Sequence, residues 1–359
     1  MCHSIAQTDK IMNILKKINA LVSAAMVMAA MTSCADRQDK EIVNPLVTED
    51  GEIMRVADPC VCTYDGKYYL SASSDDGLVS YSSEDLQTWK EVGLIEILPA
   101  DDPLKTMIWA SEVHEHGGKY YLTYSGWNPE TKTLDTNLGV GDCPWGPFTL
   151  TASPLIHIEG KNAIDANIFV DDDGEAYVYF SENGSSEEYP KGYGFLRQAR
   201  LKPDFSGIEG EIMPVNDCYA EWELKSVPRG VLCNEAPTVF KHDGTYYMTF
   251  SANETHMGDY AVGCQTATSP LGPWKKYESN PLICSSPADG PRSIGGLPII
   301  DSPGHNGIIF DKEGNPEYII YHRHAPEVSE YPSNERMTCL GRAWIDDAGT
   351  FRVECFPDR

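Results

Sequence analysis

The chain has 359 residues, 41% of them hydrophobic, with 24 prolines and 30 glycines spread along its length, a composition typical of a turn-rich globular protein and not of a disordered one. The formal net charge is −26. A surface this acidic repels phosphate backbones, so we expect no nucleic-acid partner.

The first 33 residues have the parts of an export signal. Lys16 and Lys17 precede an apolar run at 18–31, and small residues follow this run before Cys34. A basic start, a short apolar run and small residues are the regions of a secretory signal. The run is too short to predict a membrane span.

The tetrad MTSC, which ends at Cys34, resembles a bacterial lipobox. The resemblance implies cleavage before Cys34 and lipid attachment to it, and an ordinary secretory signal is the alternative. Residues 34–50 are polar and typical of a tether. We therefore predict a signal peptide at 1–33, a tether at 34–50 and one folded domain at 51–359. The protein would be an exported bacterial lipoprotein, anchored to the outer membrane or periplasmic, that contacts the membrane only through its lipid and is a monomer.

One short motif occurs five times in the rest of the chain. Each copy places a glycine in a polar turn and follows it with a run rich in aromatic and β-branched residues. The copies are YDGKYYL (64–70), HGGKYYLTYS (116–125), DDDGEAYVYF (171–180), HDGTYYMTFS (242–251) and KEGNPEYIIYH (312–322). Asp-Gly and Gly-Gly favour positive φ, and the following residues fit a pleated strand, so each copy predicts half of a β-hairpin.

The glycines of these turns are 52, 56, 70 and 70 residues apart. Repeats of about 40–50 residues leave room for the four strands of a propeller blade. A second element, with a Trp or Phe beside a turn, recurs at 82–93, 143–156 and 269–283 and would cap the outer part of a blade. We therefore predict an all-β fold, a single five-bladed β-propeller domain. A β-sandwich with repeated hairpins is the alternative.

Three acidic residues precede the repeated turns at matching distances. Asp58, Asp165 and Glu235 lie eight, nine and nine residues before the glycine of their repeat. The innermost strand of every blade lines the central tunnel of a propeller, and alternation with apolar neighbours would point these side chains inward. The spacing therefore predicts three carboxylates at one mouth of the tunnel.

At these positions the chain resembles glycoside hydrolase family 43, five-bladed propeller enzymes that act on arabinose- and xylose-containing polysaccharides. The matching motifs are ADP (57–59), WAS-E (109–112), IDAN (164–167), DDDG (171–174), EAP (235–237) and PGHN (303–306). The family more often has WAP and IDP, and the loss of these prolines changes the local backbone without removing a carboxylate.

The resemblance implies that Asp58 is the general base, Glu235 the general acid, and Asp165 the group that orients the acid and raises its pKa. Hydrolysis with inversion needs one carboxylate to deprotonate water and one protonated carboxyl to assist the leaving oxygen, about 6.5–9.5 Å apart. An ionised neighbour favours the protonated acid, because two adjacent carboxylates resist both being charged.

Five further residues are candidates for substrate contacts: Trp109, Glu112, Asn253, Arg292 and His305. Trp109 would stack on a sugar or pack within a blade, and Glu112 would bind a hydroxyl group or be a solvated strand-edge residue. Arg292 would bind a hydroxyl or be a surface charge. The resemblance implies that His305 lines the floor of the site, where a calcium or another ion is an alternative, although one histidine alone is a weak calcium site.

We expect an enzyme that needs no cofactor and removes α-L-arabinofuranosyl or β-xylosyl groups from the ends or side chains of plant oligo- or polysaccharides. Endo-arabinanase and galactofuranosidase activities on the same scaffold are the close alternatives. A non-catalytic carbohydrate-binding surface lipoprotein is the alternative from another class, and it would not need all three carboxylates.

Overall fold

A computed structural model describes residues 41–99, 107–255, 258–286, 300–324 and 335–355, together with the backbone of 293–294 and 297–298. The predicted signal peptide, Cys34 and Arg292 lie outside the described residues. The chain divides into two units, residues 1–42 and 43–359. Within the described ranges, no helix is long and apolar enough to cross a membrane.

The second unit is built from five blades, each of four antiparallel strands that follow chain order from an inner to an outer position. The third and fourth blades are joined into one sheet by a short parallel pairing of 192–194 with 231–233. In blade 1 they are β2 (Ala57–Tyr64), β3 (Lys67–Ser74), β4 (Gly77–Ser83) and β5 (Thr88–Leu94), with the short β1 (Val47–Thr48) added in parallel to β5. In blade 2 they are β7 (Trp109–His116), β8 (Lys119–Asn128), β9 (Thr133–Gly141) and β10 (Phe148–Ile156), with β6 (Ile97–Leu98) parallel to β10.

The other three blades follow the same order. Blade 3 has β11 (Asn162–Val170), β12 (Ala176–Gly184), β13 (Gly192–Leu201) and β14 (Ile208–Pro214), and blade 4 has β15 (Val231–His242), β16 (Thr245–Ala252), β17 (Ala261–Ala267) and β18 (Lys275–Lys276). After a small pair, β19 (Ser293–Ile294) and β20 (Leu297–Pro298), blade 5 has β21 (Asp301–Phe310), β22 (Pro316–His324), β23 (Arg336–Ile345) and β24 (Phe351–Cys355). Two 3₁₀ helices, Glu221–Leu224 and Val227–Arg229, lie between blades 3 and 4.

The five inner strands are neighbours in a closed cycle, β2–β7–β11–β15–β21 and back to β2. Side-chain hydrogen bonds also join successive blades: Thr123 Oγ1 donates to the Ala166 carbonyl (2.6 Å) and Thr238 Oγ1 to the Asn306 carbonyl (2.7 Å). A closed cycle of five antiparallel blades is the arrangement of a five-bladed β-propeller. The all-β prediction is confirmed, and the β-sandwich alternative does not describe this chain.

The repeated glycine turns have the backbone that the sequence predicted. All five glycines have φ between +75° and +85°, the region that glycine enters without a steric penalty. Each turn joins the first and second strands of one blade, so the motif marks the same hairpin five times.

The core lies between the blades. Alternate residues of β12 show why: Val178 and Phe180 pack toward blade 2, while Tyr177 and Tyr179 pack toward blade 4. A strand buried on both faces needs an unbroken apolar run instead of a polar alternation, which is what the repeats contain. The outer turns of the second element supply the buried rings of Trp89, Phe148 and Trp274.

Residues 43–50 belong to the propeller and not to a free tether. The Asn44 side chain donates to and accepts from the backbone of Leu340 (2.8 Å for each bond), and Leu46 N donates to the Thr338 carbonyl at 2.9 Å. Val47 and Thr48 meanwhile pair with blade 1. This segment therefore bridges blades 1 and 5, and on the described residues the propeller begins at Val43 instead of residue 51.

Candidate active site

Every inner strand has a β-bulge near its first residues, and the residue at the bulge has a positive φ. The values are 54° at Asp58, 49° at Ala110, 57° at Asp165, 51° at Ala236 and 43° at His305. Non-glycine residues in this region are uncommon and cost on the order of 1 kcal/mol or more each, so the surrounding structure has to hold them.

A side chain on the second strand of the preceding blade holds each bulge. In four blades this side chain is a serine that accepts the bulge N–H. The bonds are Ala110 N to Ser73 Oγ (2.8 Å), Asp165 N to Ser125 Oγ (3.3 Å), Ala236 N to Ser181 Oγ (3.2 Å) and His305 N to Ser251 Oγ (2.9 Å). In the fifth blade a histidine replaces the serine, because Asp58 N donates to His322 Nδ1 at 3.1 Å. The five bulge residues therefore all lie at the same mouth of the tunnel.

The strand register corrects the predicted equivalence of the three carboxylates. Asp58 and Asp165 are bulge residues, but the equivalent residue in blade 4 is Ala236. Glu235 is the residue before the bulge, the position that Trp109 occupies in blade 2. The counts of eight and nine residues misled because the first turn of blade 3 is longer than those of blades 1 and 4. The structure nevertheless brings all three carboxylates to one mouth.

Asp58 lies beside two cations and one neutral ring. Its Oδ1 lies 3.3 Å from His305 Nδ1, 3.4 Å from His322 Nδ1 and 3.6 Å from Arg336 Nη1. Burial disfavours its charged form, but the charges of His305 and Arg336 oppose burial, and the pKa of Asp58 is held well below its ordinary value. Asp58 is therefore ionised throughout the neutral range.

Asp165 has the opposite surroundings. It is 4% exposed, and its Oδ2 accepts the N–H of Ala236 at 3.2 Å, next to Glu235. Burial raises the pKa of Asp165 to about 7; the charge of His305 opposes the rise, and the charges of Glu235 and Asp58 add to it. Asp165 therefore keeps its proton until the pH approaches 7.

His305 is the electrostatic centre of the site. Burial lowers its pKa, but the charges of Asp58, Asp165, Glu112 and Glu235 outweigh burial and raise it above the ordinary value. The imidazolium ring therefore ties the three carboxylates together. Its Nε2 is buried and has no hydrogen-bond partner among the described residues.

His322 stays neutral beside this charged group. Burial lowers its pKa to about 3, although the hydrogen bond and charge of Asp58 oppose the fall. A neutral ring can accept the Asp58 N–H at Nδ1, as the structure shows.

The predicted substrate contacts separate into different groups. Trp109 is 45% exposed at the mouth, which a sugar-stacking ring needs. Glu112 is not a solvated strand-edge residue: it is buried, accepts from Asn167 Nδ2 at 2.6 Å and lies 3.1 Å from His114 Nε2. Both remain candidates.

The prediction for Asn253 is wrong on this geometry. Its Oδ1 accepts from Ser226 N (3.1 Å), and its Nδ2 donates to the carbonyls of Trp222 (2.7 Å) and Asp259 (3.2 Å). Both amide hydrogens are used and the side chain is 1% exposed, so Asn253 holds loops in place instead of facing a sugar.

The ion considered at His305 stays a prediction. Calcium prefers several oxygen ligands. Within the described ranges, no group of three or more His, Cys, Asp or Glu side chains is arranged to hold a metal.

Three residues of the site were missed in the sequence: His322, Arg336 and Tyr260. His322 holds the bulge of Asp58. Arg336 lies at the start of β23, with one nitrogen 3.6 Å from Asp58. Tyr260 donates its hydroxyl to Glu235 Oε1 at 2.7 Å. Only His322 carried a signal, since it ends the fifth copy of the repeated motif.

A propeller with one ionised carboxylate and one carboxyl group of raised pKa at the end of its tunnel has the kind of groups that glycoside hydrolases use. The sequence model described as Glycosyl hydrolases family 43 matches residues 44–351. The chain therefore belongs to glycosyl hydrolases family 43, which confirms the resemblance seen in its motifs.

Individual relatives agree with this assignment. A β-D-galactofuranosidase of Aspergillus niger is 27% identical over 316 residues, with 82% of this chain and 80% of the relative covered. A xylosidase/arabinosidase of Humicola insolens is 28% identical over 353 residues, with 86% and 98% covered. The crystal structure of a thermostable family-43 glycoside hydrolase has a TM-score of 0.76 at 28% identity and covers 89% of this chain and 97% of its own.

Proposed function

We propose that the protein hydrolyses arabinofuranosyl or xylosyl linkages of plant polysaccharides with inversion at the anomeric carbon. Asp58 is the general base, Glu235 the general acid, and Asp165 the group that holds the acid in its protonated form. The observation that carries the proposal is the contrast between two carboxyl groups. Asp58 Oδ1 lies 3.3 Å from His305 Nδ1 and 3.6 Å from Arg336 Nη1, and the pKa of Asp58 is held low. Asp165 is buried, accepts the N–H of the residue after Glu235, and has its pKa raised to about 7.

The residues act together in one displacement. Asp58 takes a proton from a water molecule while the water oxygen forms a bond to the anomeric carbon. The bond from that carbon to the leaving oxygen breaks, its electron pair stays on the oxygen, and Glu235 gives its proton to that oxygen. The imidazolium of His305 and the guanidinium of Arg336 keep Asp58 ionised before the step.

The nature of the sugar is the finer part of the proposal. The Humicola insolens relative is named a xylosidase/arabinosidase, which supports an arabinofuranosyl or xylosyl group. The Aspergillus niger relative is named a β-D-galactofuranosidase, so galactofuranosyl is the second candidate. Exo action on terminal or side-chain groups is proposed over endo-arabinanase activity, with Trp109 as the stacking ring at the mouth.

Product analysis by proton NMR tests the proposal. Arabino-, xylo- and galactofuranosyl oligosaccharides are incubated with the protein, and the first product is observed before its anomers equilibrate. We expect release of a single terminal sugar whose anomeric configuration is opposite to that of the substrate. Retention of configuration would contradict the roles of Asp58 and Glu235. Binding without any release from the whole panel would favour the non-catalytic carbohydrate-binding alternative.

Export is proposed separately, since Cys34 and the predicted signal lie outside the described residues. Mass spectrometry of the mature N-terminus would test it: a lipid on Cys34 is expected for a lipoprotein, and a free N-terminus at another residue would show an ordinary secretory signal.

A further inference from the structure

Tyr260 lies just before β17 and presents its hydroxyl group to the proposed acid. Its side chain is 2% exposed, and the hydroxyl donates to Glu235 Oε1 at 2.7 Å. Burial raises the pKa of Tyr260 well above its ordinary value, and the charge of Glu235 adds to the rise. The phenol is therefore a permanent donor in the working pH range.

The other carboxylate oxygen of Glu235 has weaker partners. Cys233 Sγ lies 3.3 Å from Oε2 and Asn183 Nδ2 lies 3.5 Å from it. The bond from the Tyr260 hydroxyl is thus the shortest hydrogen bond that Glu235 makes among the described residues.

The Tyr260 ring fits only because residue 304 is glycine. A Cβ atom on Gly304 would lie 1.8 Å from Tyr260 Cε1, far inside van der Waals contact. The same register position carries a side chain in every other blade: Ala57, Trp109, Ile164 and Glu235. Blade 5 alone leaves this position empty, and the Tyr260 ring occupies the space.

The same ring joins the two sides of the site. It is nearly parallel to the His322 ring, at 14° and 6.2 Å between centroids, and His322 holds the bulge of Asp58. The titratable groups that face Glu235 are Asp165 from β11, Cys233 from its own strand, His305 from β21 and Tyr260 itself.

We propose that Tyr260 is a positioning residue for the acid Glu235, and that Gly304 is the residue that admits it. This inference rests on the proposed function. When Glu235 gives its proton to the leaving oxygen, the Tyr260 hydroxyl stabilises the carboxylate that remains and keeps it oriented toward the glycosidic bond. The role concerns proton donation, so its loss should matter most where the leaving group needs the proton most.

The test compares Tyr260→Phe with Tyr247→Phe. Tyr247 is an equally buried tyrosine whose hydroxyl donates to the Gly349 carbonyl, outside the site. Each variant is assayed on an arabino- or xylo-oligosaccharide and on the matching nitrophenyl glycoside, whose leaving group is stable without a proton. Thermal unfolding is followed in parallel.

For Tyr260→Phe we expect kcat on the oligosaccharide to fall about 10- to 100-fold, the effect of losing a hydrogen bond to a charged group. On the nitrophenyl glycoside we expect a change of less than about threefold. The alkaline limb of the kcat/KM profile should move to higher pH, because a donor that favours the ionised acid has been removed. Tyr247→Phe should change neither the leaving-group dependence nor the profile.

Gly304→Ala is the second variant, with Gly307→Ala on the same strand as its control. A Cβ on Gly307 would have its nearest atom at 3.3 Å, against 1.8 Å for Gly304. We expect Gly304→Ala to reproduce the leaving-group dependence of Tyr260→Phe and Gly307→Ala to leave it unchanged. If Gly304→Ala fails to fold, Tyr260→Phe alone decides the matter.

Equal losses on both substrates, or none, in Tyr260→Phe would overturn the inference. Glu235→Gln separates this failure from that of the proposed function. If Glu235→Gln is inactive on the oligosaccharide while Tyr260→Phe behaves like wild type, only the inference fails. If Glu235→Gln retains full activity, the assignment of the acid itself is wrong.

Discussion

Asp58 and Asp165 occupy the same bulge position in blades 1 and 3, yet their pKa values are shifted in opposite directions from the ordinary value. Asp58 has His305, His322 and Arg336 within 3.6 Å, and its pKa is held well below the ordinary value. Asp165 is buried beside Glu235, and its pKa is raised to about 7.

The difference shows that the backbone places these carboxylates and the neighbouring blade sets their chemistry. Both have a positive φ, and both N–H groups are held by a side chain of the preceding blade. Blade 5 supplies cations to Asp58, whereas blade 4 supplies a further carboxylate to Asp165. One repeated backbone arrangement therefore places an ionised carboxylate on one side of the tunnel and a carboxyl group of raised pKa on the other.

Removing the ionised member should have the largest effect. In Asp58→Asn we expect kcat/KM to fall by about 10³-fold or more, since general-base assistance is lost while the side-chain shape is kept. Steady-state assays measure this, and thermal unfolding checks the fold. Asp346→Asn, in a turn near the surface, is the control and should retain activity. Full activity of Asp58→Asn would remove the base from the mechanism.

Weakening the cationic surroundings should have a smaller effect with a defined sign. Arg336→Gln removes a positive charge 3.6 Å from Asp58, so the pKa of Asp58 should rise. The acid limb of kcat/KM should then move to higher pH by about one unit, so the loss, up to about tenfold, is expected only at pH values below the ordinary pKa of 3.8. Arg352→Gln, whose partner is Asp346, should leave the profile unchanged. An acid limb that stays in place in Arg336→Gln would show that the guanidinium does not tune Asp58.

On the other side of the site, Asp165→Asn should stabilise the fold. A carboxyl whose pKa is raised from 3.8 to about 7 costs stability as the pH rises through that window, because the unfolded chain gives up its proton first. We expect the free energy of unfolding to increase by on the order of 2 kcal/mol above pH 7, with little gain near pH 4. Denaturant unfolding at the two pH values measures this, and a loss of stability at pH 8 would contradict it.

Much of the fold could be predicted from the sequence because one hairpin motif is repeated five times. Some of the side chains that hold the bulges also belong to the repeated motif: Ser125 and Ser251 end their copies, and His322 ends the fifth. Their role was not recognised in the sequence. Predicting that role requires knowing that the second strand of one blade packs beside the first strand of the next, which depends on the tertiary structure.

Other parts of the site carry no such pattern. Tyr260 and Arg336 have no counterparts in the other blades, so nothing in the sequence marks them. The space that Gly304 leaves for a ring from another strand appears only once the chain is folded. Asn253 was misjudged for the same reason, since its partners lie in the segment around the two 3₁₀ helices.

The most direct test of the contrast between Asp58 and the Asp165–Glu235 pair is the pH dependence of kcat/KM in wild type and Asp165→Asn. Loss of the negative neighbour favours ionisation of the acid, so the alkaline limb should move to lower pH by about one unit or more, while the acid limb, which reports Asp58, stays near its wild-type position. Superimposable profiles for the two proteins would contradict the account.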